Sequence, residues 1–314
     1  MPRLLVLLAV VVAVGVVLAL TKGVHDVAQV TINGIVAGSY FALGAIGLTL
    51  VYGVLRLVNF AHGDMLTFGA YIALLVNVHW GMPFFLAVVV AIAATALLGV
   101  VFELTLWRPM RGRGAALPQL LLITVGLAFL IRNGIQLVAG TEGRSFNIDV
   151  ITTYEFAGLR IGRVQLLDVI VGAVTLTAVG LAIRYTRLGK EMRAVSDDPV
   201  LAETTGINTG RVAIATWILG AGLAALAGVL YASAIGSATP NLGFSLILAL
   251  FAAAILGGVG NAYGALVGGI VLGLSEEWST LVFDARWKPA IGFVLLVLTL
   301  LVWPQGIFGR SRTV

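Results

Sequence analysis

The chain has 314 residues, 60% of them hydrophobic and only 11% charged, with 39 glycines and a formal charge of +5 at neutral pH. A mean hydropathy of +1.07 excludes a water-soluble globular enzyme. The absence of cysteine excludes disulfides, thiolate metal centres and cysteine nucleophiles together.

Apolar runs between polar breaks predict helices near 4–20, 27–51, 65–79, 84–107, 119–139, 166–184 and 211–235, then an uncharged stretch over 244–275 and a last helix near 290–305. The first run follows Arg3 and has no A-x-A type cleavage site after Leu20, so it reads as a retained span, with a removed leader as the alternative. As one helix, 244–275 would be roughly 48 Å long, too long for one crossing. GGVGN at 257–261 therefore breaks it into two short spans. The predicted fold class is all-α: a polytopic helical membrane protein with about ten crossings, some short or broken, forming one transmembrane domain over residues 1–314.

Basic residues in such a chain mark the loops that stay in the cytoplasm, not affinity for nucleic acid. Arg56, Arg108, Arg111, Arg113, Arg184, Arg187, Lys190, Arg193 and Arg211 fall on one side of the ten spans, against Lys22, Arg144, Arg160 and Arg163 on the other. This bias puts both termini in the cytoplasm, including the tail GRSRTV. The loop over 140–165 is the largest extracytoplasmic segment. Its turn formers Gly143, Asn147, Asp149 and Gly158 and the β-prone IDVIT suit either a structured lip for a soluble partner or a plain connector.

Two glycine-rich regions stand out. Within 27–51, Gly34, Gly38, Ala42 and Gly44 leave a small-sided helix, while Ser39, Tyr40 and Thr49 offer hydroxyls. That combination suits a translocation path for a mostly apolar solute, and equally close helix packing. Gly260, Gly264 and Gly268 recur every four residues, with Gly269 and Gly273 beside them, which predicts a close-packing face.

NFAHGDM at 59–65 is the densest polar cluster near a membrane boundary. His62 and Asp64 invite an acid–base reading, but Ser39 lacks a nucleophile elbow. His25 and His79 read as loop residues without metal-ligand spacing. Asn59, His62 and Asp64 are better suited to satisfying backbone groups where a helix is interrupted, at a hinge or gate. Glu103 and Arg132 read as lone charges near span ends, free to snorkel.

EMRAVSDDPVLAETTGIN, at 191–208, gathers charge in a chain that otherwise avoids it. A short helix is predicted there, capped by Ser196 or Asp197, with Pro199 in its first turn and Gly206 at its end, inside a cytoplasmic loop over 184–211. RAVSDDPVLAETTGIN resembles the cytoplasmic coupling loop of the branched-chain amino-acid permeases of bacterial ABC importers. The resemblance recurs in NGIVAGSYFALGAIGLTLVYGVLRLVNFAHGDMLTFGAY (33–71) and ILGGVGNAYGALVGGIVLG (255–273).

That resemblance implies a multi-pass inner-membrane permease that works beside a second homologous permease, two cytosolic ATPases and a periplasmic binding protein. It implies that Arg193, Ala194, Asp197, Ala202 and Gly206 form the ATPase contact, and it sets the 27–51 region near the centre of the path. Urea or short amides, carried by close relatives, are alternative solutes. The three lysines, Lys22, Lys190 and Lys288, precede Gly23, Glu191 and Pro289, so no Walker A loop is present and ATP would be bound by partner subunits. An ion-coupled secondary transporter would need acids at mid-membrane, and the sequence reads as poor in them.

Overall fold

A computed structural model describes residues 2–309, so the tail after Gly309, expected in the cytoplasm, lies outside the described residues. Helix α1 (Pro2–Lys22) ends on its own basic residue, and Gly23, at φ +100°, separates it from α2 (Val24–Leu55). At 32 residues α2 is about 48 Å long. After a short extended segment come α3 (Ala61–Leu74), a π turn at Leu75–His79, and α4 (Phe84–Phe102). A second π segment at Glu103–Trp107 joins α4 to α5 (Arg108–Gly112) without a break. Pro109 explains it, since its ring would strike the carbonyl four residues back in a regular helix and the wider π turn makes room.

Helix α6 (Leu117–Ala139) carries Pro118 in its first turn and ends at Gly140, φ +81°. Strands β1 (Thr153–Phe156) and β2 (Leu159–Gly162) then pair antiparallel around Ala157 and Gly158, both at positive φ, as a two-residue hairpin turn requires. The β-prone IDVIT does not join them. Asp149 instead accepts from the amides of Ile151 and Thr152, which removes those groups from any ladder. The Thr152 hydroxyl and these amides hold the Asp149 carboxyl below the usual range.

Helix α7 (Arg163–Tyr185) leads to the island, which folds as two helices, α8 (Arg187–Asp197) and α9 (Pro199–Thr204). Next come α10 (Thr209–Ile235), capped by Asn208, and the pair α11 (Leu242–Gly257) and α12 (Ala262–Ser279), broken at 258–261 as predicted. A 3-10 turn at Ala285–Trp287 precedes α13 (Lys288–Val302).

Among the described residues seven helical segments are long and apolar enough to cross a membrane, with α11 a shorter apolar one. Their burial is unequal. The most apolar window of α2 is 94% buried and that of α10 is 78%, against 6% for α1 and 11% for the segment containing α13. Helices α2 and α10 therefore form the centre, with α3, α4, α11 and α12 around them. The apolar sides of α1, α7 and α13 face outward, as lipid contact demands.

Candidate functional site

The chain reverses sharply after α2. Arg56 takes a left-handed conformation, φ 52°, and donates its amide to Tyr52. Leu57–Phe60 then runs without regular structure back into the bundle, and α3 starts there. Its depth is fixed by His62, whose Nε2 donates to the Gly44 carbonyl at 2.9 Å. Gly44 lies eleven residues, or about 16 Å, inside the end of α2. Helix α3 is therefore a half-helix that begins deep in the bundle.

Its polar residues divide into paired and unpaired. Asp64, 1% exposed, takes two hydrogen bonds from Arg132 of α6, 2.9 Å from Nε and 3.0 Å from Nη2. The Arg132 guanidinium also stacks over Phe244, 4.2 Å from the ring centre. Neither residue does what its sequence setting suggested: Asp64 neutralises a cation instead of satisfying backbone, and Arg132 is not a lone charge. His62 meets a backbone carbonyl, but that of Gly44 in the interior of α2 and not one at the break itself. The Asn59 side chain meets none, since its amide nitrogen faces the Met65 sulfur at 4.0 Å and its oxygen has no partner. Four buried side-chain polar atoms among the described residues lack a protein partner, and three of them, Thr49 Oγ1, Asn59 Oδ1 and His62 Nδ1, belong to this stretch.

Ser39 and Tyr40 of α2 have other partners. Ser39 bonds its own helix at the Val36 carbonyl, 2.7 Å away, and packs on Gly172 of α7. Tyr40 meets Tyr231 of α10 edge to face. No hydrogen bond among the described residues joins Ser39 or Tyr40 to Asn59, His62 or Asp64. The small residues nearby serve packing instead of an open path. A methyl on Gly38 would lie 2.8 Å from the Ile270 Cα, and one on Gly34 2.9 Å from the Leu274 Cα.

The glycine stripe of α12 is two-sided. Substituents on Gly264 and Gly268 would collide with Gly257 and Ala253 of α11, and substituents on Gly269 and Gly273 with Ala42 and Gly38 of α2. Its neighbours thus lie in this chain. Gly260 is not part of the stripe; it precedes the Asn261 cap, at φ +87°, beside Gly53.

Membrane acids are more numerous than the sequence suggested. Glu103 does not snorkel: at 1% exposure it pairs with Arg111 and accepts from Trp217 Nε1 at 2.9 Å, beneath the stacked rings of Trp107 and Trp217. The Ser233 hydroxyl lies 3.2 Å from the buried Asp168 carboxylate, and Glu276 is buried beside Gly292. Of the four buried acids Asp64, Glu103, Asp168 and Glu276, the first two are held in apolar surroundings by arginine partners, which a hydropathy profile does not register. His25 and His79 lie in the first turn of α2 and in the π turn, not in loops. Among the described residues no cluster suited to a metal occurs.

The island sits on the end of α2. Ser196 Oγ donates to the Gly53 carbonyl at 2.7 Å, and Arg56 Nη2 lies 3.4 Å from the Ser196 carbonyl. Met192, Val195 and Ala202 pack with Val54 and Val212, which makes Ala202 an anchor. Asp198, not Ser196 or Asp197, caps α9, accepting from the amides of Val200 and Leu201. Gly206 ends the island at φ +89° with open space around it. Arg193, exposed, donates to the Ile183 carbonyl, Ala194 is half-buried, and Asp197 is exposed. Beside them Val200 and Leu201, 71% and 61% exposed, present an apolar pair on a polar helix.

The hairpin side of the molecule is also structured. Gln29 of α2 exchanges two hydrogen bonds of 2.8 Å with the Arg160 backbone, and Arg144 bridges to Ala238 between α10 and α11.

A bundle of apolar helices with a half-helix starting inside it and a solvent-facing island at one end is the build of a polytopic membrane transport protein. Residues 30–300 match the family described as branched-chain amino acid transport system / permease component, and the chain belongs to that family. It is 34% identical to the high-affinity branched-chain amino acid transport system permease protein LivH of Escherichia coli (strain K12), over 90% of this chain and 96% of the relative. It is 32% identical to BraD of Pseudomonas aeruginosa, described in the same words, over 92% and 98%. LivM of Escherichia coli (strain K12), a second permease protein of such a system, is 23% identical over 93% of this chain and 71% of its own length. No solved structure matches the chain.

Proposed function

We propose that the chain is the inner-membrane permease of an ATP-driven importer of branched-chain and similar hydrophobic amino acids. It works beside a second related permease, with two cytosolic ATPases that bind the ATP and a periplasmic binding protein that delivers the solute to the hairpin side. Family membership supports the solute class. The observation that carries the coupling role is the exposed Val200–Leu201 pair on an island otherwise rich in charge and hydrogen-bonded directly to α2. Exposed aliphatic side chains on a helix anchored from behind suit the groove of a soluble partner. Arg193, Asp197 and Gly206 lie on the contact, and Ala194 and Ala202 hold its base. A displacement of the island reaches the bundle through Ser196 and Gly53, at the last turn of α2.

The test is uptake by proteoliposomes that hold the whole complex. Wild type should import leucine, isoleucine and valine, but not urea, when ATP and the binding protein are supplied. Gly206→Val places a β-branched residue at a left-handed position, strain of about 1–3 kcal/mol, and should lower uptake about tenfold while the chain still inserts. Wild-type uptake and ATPase stimulation in that variant would remove the coupling role.

A further inference from the structure

At the island end of the bundle, a cleft of about 250 Å³ opens between the last turns of α2 and the end of α11. Leu48, Phe251, Ala254 and Ile255 make its walls apolar. Two features set it apart from a packing defect. Thr49, 1% exposed, lines it, and its Oγ1 has no partner. Leu57 and Val58 also line it, and they belong to the extended segment that re-enters the bundle. The amides of Leu57, Val58, Asn59 and Phe60 donate to no acceptor among the described residues. Irregular backbone at membrane depth persists where protein buries it or where it borders a water-filled space, and Leu57 and Val58 border this cleft.

We infer that the cleft is a binding station for the transported amino acid on the island side of the membrane, with the aliphatic side chain against the apolar walls and the polar head toward Thr49 and the Leu57–Val58 backbone. This rests on the reading of the chain as a branched-chain amino acid importer and adds a site to it. Size and charge support the assignment. The volume is several times the ~30 Å³ share of a water, yet below the roughly 300–1,000 Å³ of pockets for drug-sized ligands. No ionisable side chain lines the cleft except the Tyr52 phenol, so a lysine or glutamate solute would place a further charge, beyond those of the head that every amino acid shares, against apolar walls without a counter-charge. The island touches the same turn of α2, at Gly53, one residue from Tyr52.

The chain has no cysteine, so Thr49→Cys in the complete complex gives one reactive thiol on this subunit. A small water-soluble thiol reagent should label it, and leucine presented with ATP and the binding protein should slow labelling at least fivefold, whereas lysine should not. Separately, Ala254→Val narrows the cleft. One methylene in an apolar pocket discriminates about tenfold or more, so the leucine-to-valine transport ratio should fall about fivefold while the binding protein's own affinities stay unchanged. Both results are required. Transport of leucine by the wild type, without protection of the introduced thiol in Thr49→Cys or with an unchanged ratio in Ala254→Val, would overturn the station and leave the importer reading intact. A thiol that is labelled in the lone chain but shielded in the assembled complex would mean that the second permease covers the cleft, and would also overturn it. Failure of the wild type to transport any branched-chain amino acid would instead remove the importer reading beneath it.

Discussion

Helix α2 meets two very different neighbours. Along its middle, Gly34, Gly38 and Ala42 abut α12 so closely that a methyl group added to Gly34, Gly38, Gly269 or Gly273 would strike the facing helix. Below that contact, from Gly44 to its last turn, it faces a re-entrant segment, and three buried polar atoms, one on Thr49 of α2 and two on Asn59 and His62, have no partner among the described residues. The first contact is apolar and complete, held by dispersion between backbones in a solvent where hydrophobicity offers no drive. The second is polar and incomplete, which is costly in an apolar setting unless something else meets those atoms. One helix thus carries a fixed seam and an open one, and the open seam is the end that the island touches.

The largest effect should come from filling the fixed seam. Gly273→Leu forces α12 off α2 and should abolish folded, purifiable complex. Ala262→Leu, at the start of the same helix and only half-buried, should cost a few degrees at most in a detergent thermal-stability assay. Equal losses would mean that the seam tolerates separation.

Breaking the one strong polar tie beside the open seam should do less. Asp64→Asn leaves the Arg132 guanidinium without its counter-charge in a nearly dry site, a loss of about 3 kcal/mol. The double variant Asp64→Asn with Arg132→Gln should regain part of it. Denaturation in detergent reads both, and a double variant no better than the single would show that charge pairing is not the interaction at stake.

Ser196→Ala should have the smallest effect, about 1 kcal/mol or less for one hydrogen bond to Gly53. Thermal stability should stay near wild type, while solute-stimulated ATP hydrolysis falls two- to threefold. Unchanged stimulation would detach the island from the open seam.

Helix spans, the 257–261 break and the polar island were legible because each is a local property of composition, and Pro199 and Gly206 sit where local chemistry predicts them. Pairing was not legible. Arg132 and Asp64 are far apart in the chain, as are Glu103 and Trp217, and hydropathy assigns each charge a position without a partner. The same limit affected the small residues of α2: a glycine beside a helix and a glycine beside a solute look identical until Ile270 and Leu274 are known to stand opposite Gly38 and Gly34. Asn59 and His62 were recognised as residues of an interrupted helix, but how deep α3 starts became visible only through the Gly44 carbonyl. The cap of α9 was misjudged by a single residue, because Ser196, Asp197 and Asp198 all have side chains able to cap and only the approach of α8 selects among them.

The contact between α2 and α12 also bears on how the molecule is made. Gly38 and Gly269 stand near opposite ends of the sequence, so a ribosome has released α2 long before the helix that covers it exists. Chains assemble from their N-terminal end during synthesis, and for most of that time α2 has its glycine face uncovered. It carries little side-chain surface there for a wrong helix to grip. A face made almost wholly of backbone is a poor partner for anything except another such face, and it waits, unoccupied but not adhesive, until translation reaches Gly269 and Gly273.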